Sequence, residues 1–408
     1  MRVFEIDGSR DFEFLERVFA KLLINFTWWV NREDAEGSNL FEGGFMGLDN
    51  IGPIDRSHLP VAGRLEQSDS TGWMAGYAAV MATIAAILHR SGHRPAVDLV
   101  QTFLEHFAAI RDALDGIGLW DDVDGVFYDR LCTPEGTVPI KVRSIASMIP
   151  MLAGGVVNGE RLDGTLSVTK RFGRFLRRHG LDEPARLAEA GLLRGSGDNR
   201  RLFVSVVGVD RVEKMLGALL DPAEFLSPHG LRSLSARHRA HPAVLQFGGL
   251  YASVDYEPAE STTAMFGGNS NWRGPVWFPV NYLAVAALDR YYHFFGEDLR
   301  IEYPTGSGRL ATLDRIADDL RARLVALFLA GPDGRRPVFG RVEKMQTDPR
   351  WRDQILFYEY FNGDDGAGLG ASHQTGWTGL VADLIRRRHR AVPSTSEVIQ
   401  RLAAGERP

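Results

Sequence analysis

Cysteine is almost absent from this chain: Cys132 stands alone among 408 residues. A single thiol excludes an intramolecular disulfide and fits a reducing compartment, so the cytoplasm is the expected location. On a turn-like segment that thiol is expected to be inert. Long apolar runs are missing as well, and without a stretch of about 18 apolar residues no membrane span is expected. The opening Met1-Arg-Val-Phe-Glu-Ile-Asp-Gly8 lacks the apolar core of a secretory leader. There is no excess of positive charge, since 47 Lys and Arg face 52 Asp and Glu for a net −5. That balance gives no footing for nucleic acid or an anionic membrane surface. The run Arg386-Arg-Arg-His-Arg390 reads as a solvated helix end suited to the dipole. HExxH, CxxC, P-loop and GxSxG patterns are all missing, and the histidines are scattered, so neither a metal nor a cofactor is expected.

What is present is helical periodicity. Apolar residues recur at i, i+3 and i+4 over Phe12 to Val30, Thr71 to Arg90, Pro95 to Leu114, Ile145 to Leu152, Val212 to Leu220, Val276 to Phe295, Leu310 to Leu329 and Thr375 to His389. Strand-like alternation is scarce, with Arg201 to Val209 and Ala252 to Tyr256 as the best candidates. Long helices joined by long loops rich in Gly, Pro, Asp and aromatics predict an all-α chain, an α/α toroid with its site among the loops at one end. One domain over 1–408 is expected, with the charged, Gly-rich segment 158–201 as an excursion from the barrel.

Four blocks carry the chemistry. Phe357-Tyr-Glu-Tyr-Phe-Asn-Gly-Asp-Asp-Gly-Ala-Gly-Leu-Gly370 sets Glu359 among aromatics before glycines that let backbone approach a ligand, and Ala371-Ser-His-Gln-Thr-Gly-Trp377 adds Gln374 and an indole. Far upstream, Phe41-Glu-Gly-Gly-Phe-Met-Gly-Leu-Asp-Asn-Ile-Gly52 offers a second carboxylate, Asp49, behind Gly47. Asp49 reads either as a cap for the next element or as a functional acid. Asp55 and Arg56 nearby suggest an ion pair that orders this loop. Leu65-Glu-Gln-Ser-Asp-Ser-Thr-Gly-Trp73 opens a helix, where Ser70 or Asp69 would cap while Gln67 and Trp73 exceed what capping needs and read as candidate sugar contacts. Phe266-Gly-Gly-Asn-Ser-Asn-Trp-Arg-Gly-Pro-Val-Trp277 brackets Arg273 between Trp272 and Trp277, with Pro275 ready to start a helix. The two indoles read either as core residues or as faces for a sugar, with Arg273 donating to hydroxyls or a carboxylate. By contrast, Asp122-x-Asp124-Gly125 reads as a tight turn with Asx caps rather than a calcium loop. Two carboxylates on distant aromatic, Gly-rich loops are the minimal kit for cleaving a glycosidic bond, and a carbohydrate is the expected partner.

These blocks resemble glycoside hydrolase family 63, closest to bacterial proteins related to mannosylglycerate and glucosylglycerate hydrolases and to processing α-glucosidase I. The resemblance runs from about Phe12 to Arg388. It implies an (α/α)6 barrel and inverting hydrolysis of an α-glucosidic or α-mannosidic bond in a small glycoside or oligosaccharide. Asp49 then matches the general acid and Glu359 the general base, and Trp272, Arg273, Trp277 and Gln374 fall where the sugar is held. Such a pair needs roughly 6.5–9.5 Å between its carboxyls to admit water, and burial would raise the pKa of Asp49. One departure stands out. Only 48 residues precede Asp49, where a complete barrel of this kind places several helices, and the family's upstream Trp-Asp motif is not found. The chain is therefore expected to be the C-terminal part of a barrel, weakly active or inactive alone, with self-association or a second chain covering the apolar faces left exposed. A sugar-binding or assembly subunit is the alternative function. An epimerase or lyase reading fits less well, because those reactions lean on His or Tyr.

Overall fold

A computed structural model describes residues 11–31, 37–42, 45–90, 92, 96–158, 177, 183–263, 271–373 and 375–389. Seven helices give the frame: α1 (Phe12–Val30), α2 (Ser68–Arg90), α3 (Ala96–Gly116), α4 (Val209–Leu219), α5 (Phe278–Phe295), α6 (Leu313–Ala326) and α7 (Val381–His389). Each sits where the apolar spacing puts it, with ends shifted by a few residues. In α4 the buried set is Val212, Met215, Leu216 and Leu219, one stripe of a 3.6-residue period. α1 is capped by Asp11, whose carboxylate accepts the Phe14 N–H at 2.8 Å. Its Phe26 then meets Tyr77 of α2 and Phe103 of α3 edge to face, with centroids 5.3 and 5.0 Å away.

Hydropathy alone would pass Ser68–His89 of α2 as long and apolar enough to cross a membrane. In the structure most of that stretch is buried. Met74, Ala78, Met81, Ala85 and Leu88 enter the main core between α1 and α3, as expected of a core helix. Further along the chain, α5 packs on α6, and α6 on α7.

The all-α expectation needs correction. Among the described residues seven small antiparallel sheets of two or three strands accompany the helices. Their strands run two to five residues, too short for an alternating pattern to stand out in the sequence. Arg64–Glu66, Asp129–Thr133 and Gly136–Ile140 form one sheet, which with the Ala243–Phe247/Leu250–Val254 hairpin encloses a second, smaller core around Leu65, Leu131, Val142 and Leu245. Cys132 lies in this sheet rather than on a turn, and burial pushes its thiol pKa up. The two ends of the 158–201 segment are brought together, because Gly155–Asn158 pairs with Arg201–Val204. The turn at Asp121–Gly125 is the Asx turn its sequence predicts, with the Asp121 carboxylate accepting the N–H groups of Val123 and Asp124 at 3.0 and 2.9 Å.

Buried polar groups knit these layers. His238 has both ring nitrogens committed: Nε2 accepts the Arg143 N–H at 3.1 Å and Nδ1 lies 2.9 Å from the His241 carbonyl. Burial, helped by the Arg143 guanidinium, holds its pKa below the usual imidazole value, and His229 is shifted the same way by burial. A lowered folded-state pKa means that the unfolded chain binds more protons. Stability is then fully present above the unfolded value of about 6.5 and declines as pH falls below it. Urea midpoints should drop between pH 7.5 and 5. The slope should flatten in His238→Gln, and an unchanged slope would remove His238 from the account.

Candidate active site

Glu359 is held by backbone on two sides. Its N–H donates to the Ala371 carbonyl at 2.9 Å, and its carboxylate Oε2 accepts the Ala371 N–H at 3.2 Å. Tyr360–Phe361 follows as a strand paired with Gly368–Leu369, while Phe361 and Val276 exchange backbone bonds of 3.0 and 2.8 Å. The Gly-rich loop doubles back to make this possible, and the backbone it brings close approaches the protein's own side chains. Gly370 sits at φ +68°, and a Cβ there would lie 2.7 Å from Glu359 Oε2. Gly370→Ala should therefore cost about 1–3 kcal/mol of backbone strain and displace Glu359. Chemical denaturation run beside an activity assay should show activity falling further than stability.

The bond to Val276 brings the tryptophan block alongside. Trp272 and Trp277 stack with centroids 4.0 Å apart and planes 6° from parallel, and Trp277 also stacks on Tyr360 at 4.6 Å. Both indoles are 1% exposed, and Trp277 spends its N–H on the Asn271 carbonyl at 2.9 Å. Both indoles sit as core rings: Trp277 is stacked between Trp272 and Tyr360, and Trp272, which among the described residues stacks on Trp277 alone, is covered by burial. Trp377 is only partly buried and leans on both, 6.4 and 5.3 Å away. It closes the motif that also holds Gln374, and it is the ring of this cluster best placed to meet a ligand. Pro275 does not start the helix; α5 begins at Phe278, with Pro279 in its first turn.

Arg273 departs from its expected task. Its guanidinium, 2% exposed, donates from Nε to the Asn50 carbonyl at 2.9 Å and from Nη2 to the Gly52 carbonyl at 3.4 Å. Nη1 reaches Glu257 at 3.4 Å. Asn50 adds its own tie, its Oδ1 accepting the Trp272 N–H at 3.3 Å. These bonds draw the 3-10 turn Phe45–Asn50, which carries Asp49, onto the indole pair. The Asp49 side chain and all of Gln374 lie outside the described set, while Gly47 is exposed at φ +69°. Asn50 was not singled out in the sequence. An Asn directly after a candidate acid was the only signal the sequence offered; its burial comes from the fold.

Under this turn, Arg56 corrects the expected pairing with Asp55. Asp55 instead accepts the N–H groups of Ser57 and His58 at 2.7 and 3.0 Å. Arg56 is buried and pairs with Asp69, at 3.1 Å through Nη1, and with Asp129 at 3.1 Å, while donating to the Leu48 carbonyl at 3.3 Å. Asp69 is therefore taken by Arg56, and neither it nor Ser70 caps α2. Gln67 stands just before the helix: its backbone carbonyl accepts the Thr71 N–H at 3.3 Å, and its Oε1 accepts the Ser70 hydroxyl at 2.6 Å. Gln67, just before α2, is buried, and Trp73, in its second turn, is half-buried. Arg56, Ser68, Asp129, Ser144 and Ser147 line a cavity of about 20 Å³, room for one water. Among the described residues no group of three His, Cys, Asp or Glu side chains is arranged to hold a metal ion.

The site therefore joins a carboxylate on a Gly-rich strand turn, an aromatic stack and a second acid-bearing turn tied to that stack. Residues 202–378 match the model of the mannosylglycerate hydrolase MGH1-like glycoside hydrolase domain, a span that holds Trp272, Arg273, Trp277, Glu359 and Gln374. The uncharacterized protein YMR196W of Saccharomyces cerevisiae is 42% identical over 408 residues, covering 94% of this chain and 37% of its own length. The mannosyl-oligosaccharide glucosidase of the same yeast is 27% identical over 178 residues, 43% of this chain and 15% of that one. The chain thus spans well under half the length of these curated relatives. Among solved structures, a GH63 mannosylglycerate hydrolase from Thermus thermophilus in complex with glucose is 16% identical with a TM-score of 0.45, over 95% of this chain and 73% of that one. Over residues 202–378 the chain is thus similar to glycoside hydrolase domains of the family 63 kind.

Proposed function

We propose that this chain is a glycoside hydrolase that cleaves an α-glucosidic or α-mannosidic bond in a small glycoside or oligosaccharide with inversion. Glu359 serves as general base and Asp49 as general acid on an (α/α)6 toroid. The observation that carries this reading is the convergence on one aromatic stack. Glu359, oriented by the Ala371 N–H, precedes Tyr360, which stacks on Trp277, and the turn bearing Asp49 is tied to Trp272 through Asn50. A base that activates water must stay fixed as substrate binds, and a carboxylate clamped at both its amide and its Oε2 is so fixed. Trp73 and Trp377, the partly buried indoles, are the rings proposed to meet the sugar, with Gly47 leaving room on the acid side. Arg273 and Trp277 hold the sugar's walls in place.

Proton NMR of the anomer released from a panel of α-glucosides and α-mannosides, including glucosylglycerate and mannosylglycerate, tests this. The β-anomer is expected first. Initial release of the α-anomer, or no turnover on any panel member by a folded chain, would defeat it. A second reading, a sugar-binding or assembly subunit, draws on Ile24 and Trp28 of α1, which are 74% and 48% exposed and offer an apolar face to a second copy or another chain. Sugar binding without turnover would favour it.

A further inference from the structure

Among the described residues both carboxylate loops are fastened to the segment Tyr256-Glu257-Pro258. On one side, Glu257 donates its N–H to the Arg273 carbonyl at 2.6 Å and takes Arg273 Nη1 on its carboxylate at 3.4 Å. Asn271 Nδ2 donates to the Glu257 carbonyl at 2.9 Å. Arg273 then grips the Asn50 and Gly52 carbonyls just beyond Asp49. On the other side, the Pro258 carbonyl accepts the Gly363 N–H at 2.9 Å. The Tyr256 hydroxyl accepts from Arg232 Nε and donates to Asp364 Oδ1, both at 2.9 Å. Arg239 lies 4.8 Å over the Tyr256 ring and pairs with the same Asp364. Space is tight enough that a Cβ on Gly363 would fall 2.5 Å from the Gly274 carbonyl and 2.7 Å from the Tyr256 hydroxyl. Gly363 and Asp364 follow the Tyr360–Phe361 strand, and so Glu359, within five residues.

We propose that Tyr256 and Glu257 are positioning residues, a strut that sets the separation between the acid-bearing turn and Glu359. Its catalytic half rests on the glycosidase reading, in which that separation decides whether a water fits between acid and base. Tyr256 suits the task because its hydroxyl, accepting from Arg232, has its one proton to spend on Asp364; burial pushes its phenol pKa further up.

Hydrogen exchange on the full chain tests the strut without any substrate. Tyr256→Phe is expected to speed exchange about 10-fold or more over residues 359–371, and Glu257→Gln over 45–54, with α5 unchanged in both. Wild-type rates in both windows would overturn the proposal, as would even acceleration along the whole chain, which marks ordinary core residues. On a glycoside the wild type hydrolyses, Tyr256→Phe should lower kcat about 10- to 100-fold with KM within about twofold. A raised KM at unchanged kcat would overturn it. If the wild type hydrolyses nothing, the glycosidase reading fails, and the exchange windows still decide the strut.

Discussion

Glu359→Ala is expected to lower glycoside turnover by about 10²–10⁴-fold, the usual worth of a positioned general base, while sugar affinity stays near that of the wild type. The fall should appear in kcat, because activating water matters only in the transition state. Glu359→Gln is the sharper variant. It keeps the shape and an oxygen for the Ala371 N–H that now meets Oε2 at 3.2 Å, so the surrounding turn has no reason to move. Equal losses in both variants would assign the effect to the lost carboxylate. A mild loss in Glu359→Gln beside a severe one in Glu359→Ala would instead make Glu359 a structural clamp for the turn. Isothermal titration with the sugar product, run beside the kinetics, separates lost chemistry from lost binding.

The largest expected loss of stability lies away from the site. Arg143 donates from Nε and Nη2 to the two oxygens of Glu224 at 2.6 and 2.9 Å, a bidentate pair in which both side chains are 9% exposed. Ser235 adds a hydroxyl at 3.3 Å, and Arg143 also donates to the Asp124 carbonyl at 3.2 Å. The pair thus locks the Asp121–Gly125 turn to the segment before the second core. Truncating Glu224 leaves the buried Arg143 guanidinium with only the partly exposed Asp124 carboxylate at 3.6 Å, a loss approaching the roughly 3–5 kcal/mol of a broken buried pair, although replacing both partners with apolar groups can be near neutral. Glu224→Ala should therefore lower the urea midpoint strongly, and adding Arg143→Met should recover most of the loss. A single-variant loss under about 1 kcal/mol would show the pair to be solvated, as exposed pairs are.

The helices could be read from the sequence because their signal is local, and so could the blocks proposed to bear the site. A 3.6-residue apolar period reports the buried stripe of α4 or α6 whatever the neighbours are, and a carboxylate among aromatics and glycines, as at Glu359, marks a candidate without its fold. Pairings were different in kind. Arg56 ignores Asp55 beside it for Asp69 and Asp129, which lie 13 and 73 positions away. Neighbours in sequence need not face each other, and a buried guanidinium goes to the carboxylates that share its low-dielectric pocket. Arg273 reaches back more than 220 residues to Asn50 and Gly52. The indoles of Trp272 and Trp277, equally readable as core or binding faces, became core only when Tyr360 arrived on Trp277. Composition and periodicity by themselves determined that the chain would be helix-rich, built round a large apolar core, and equipped with acids on aromatic, Gly-rich loops. Tertiary structure decided which acids meet which cations, which rings are covered, and which short segments pair as strands. Each of those is settled by desolvation against residues far away in the chain.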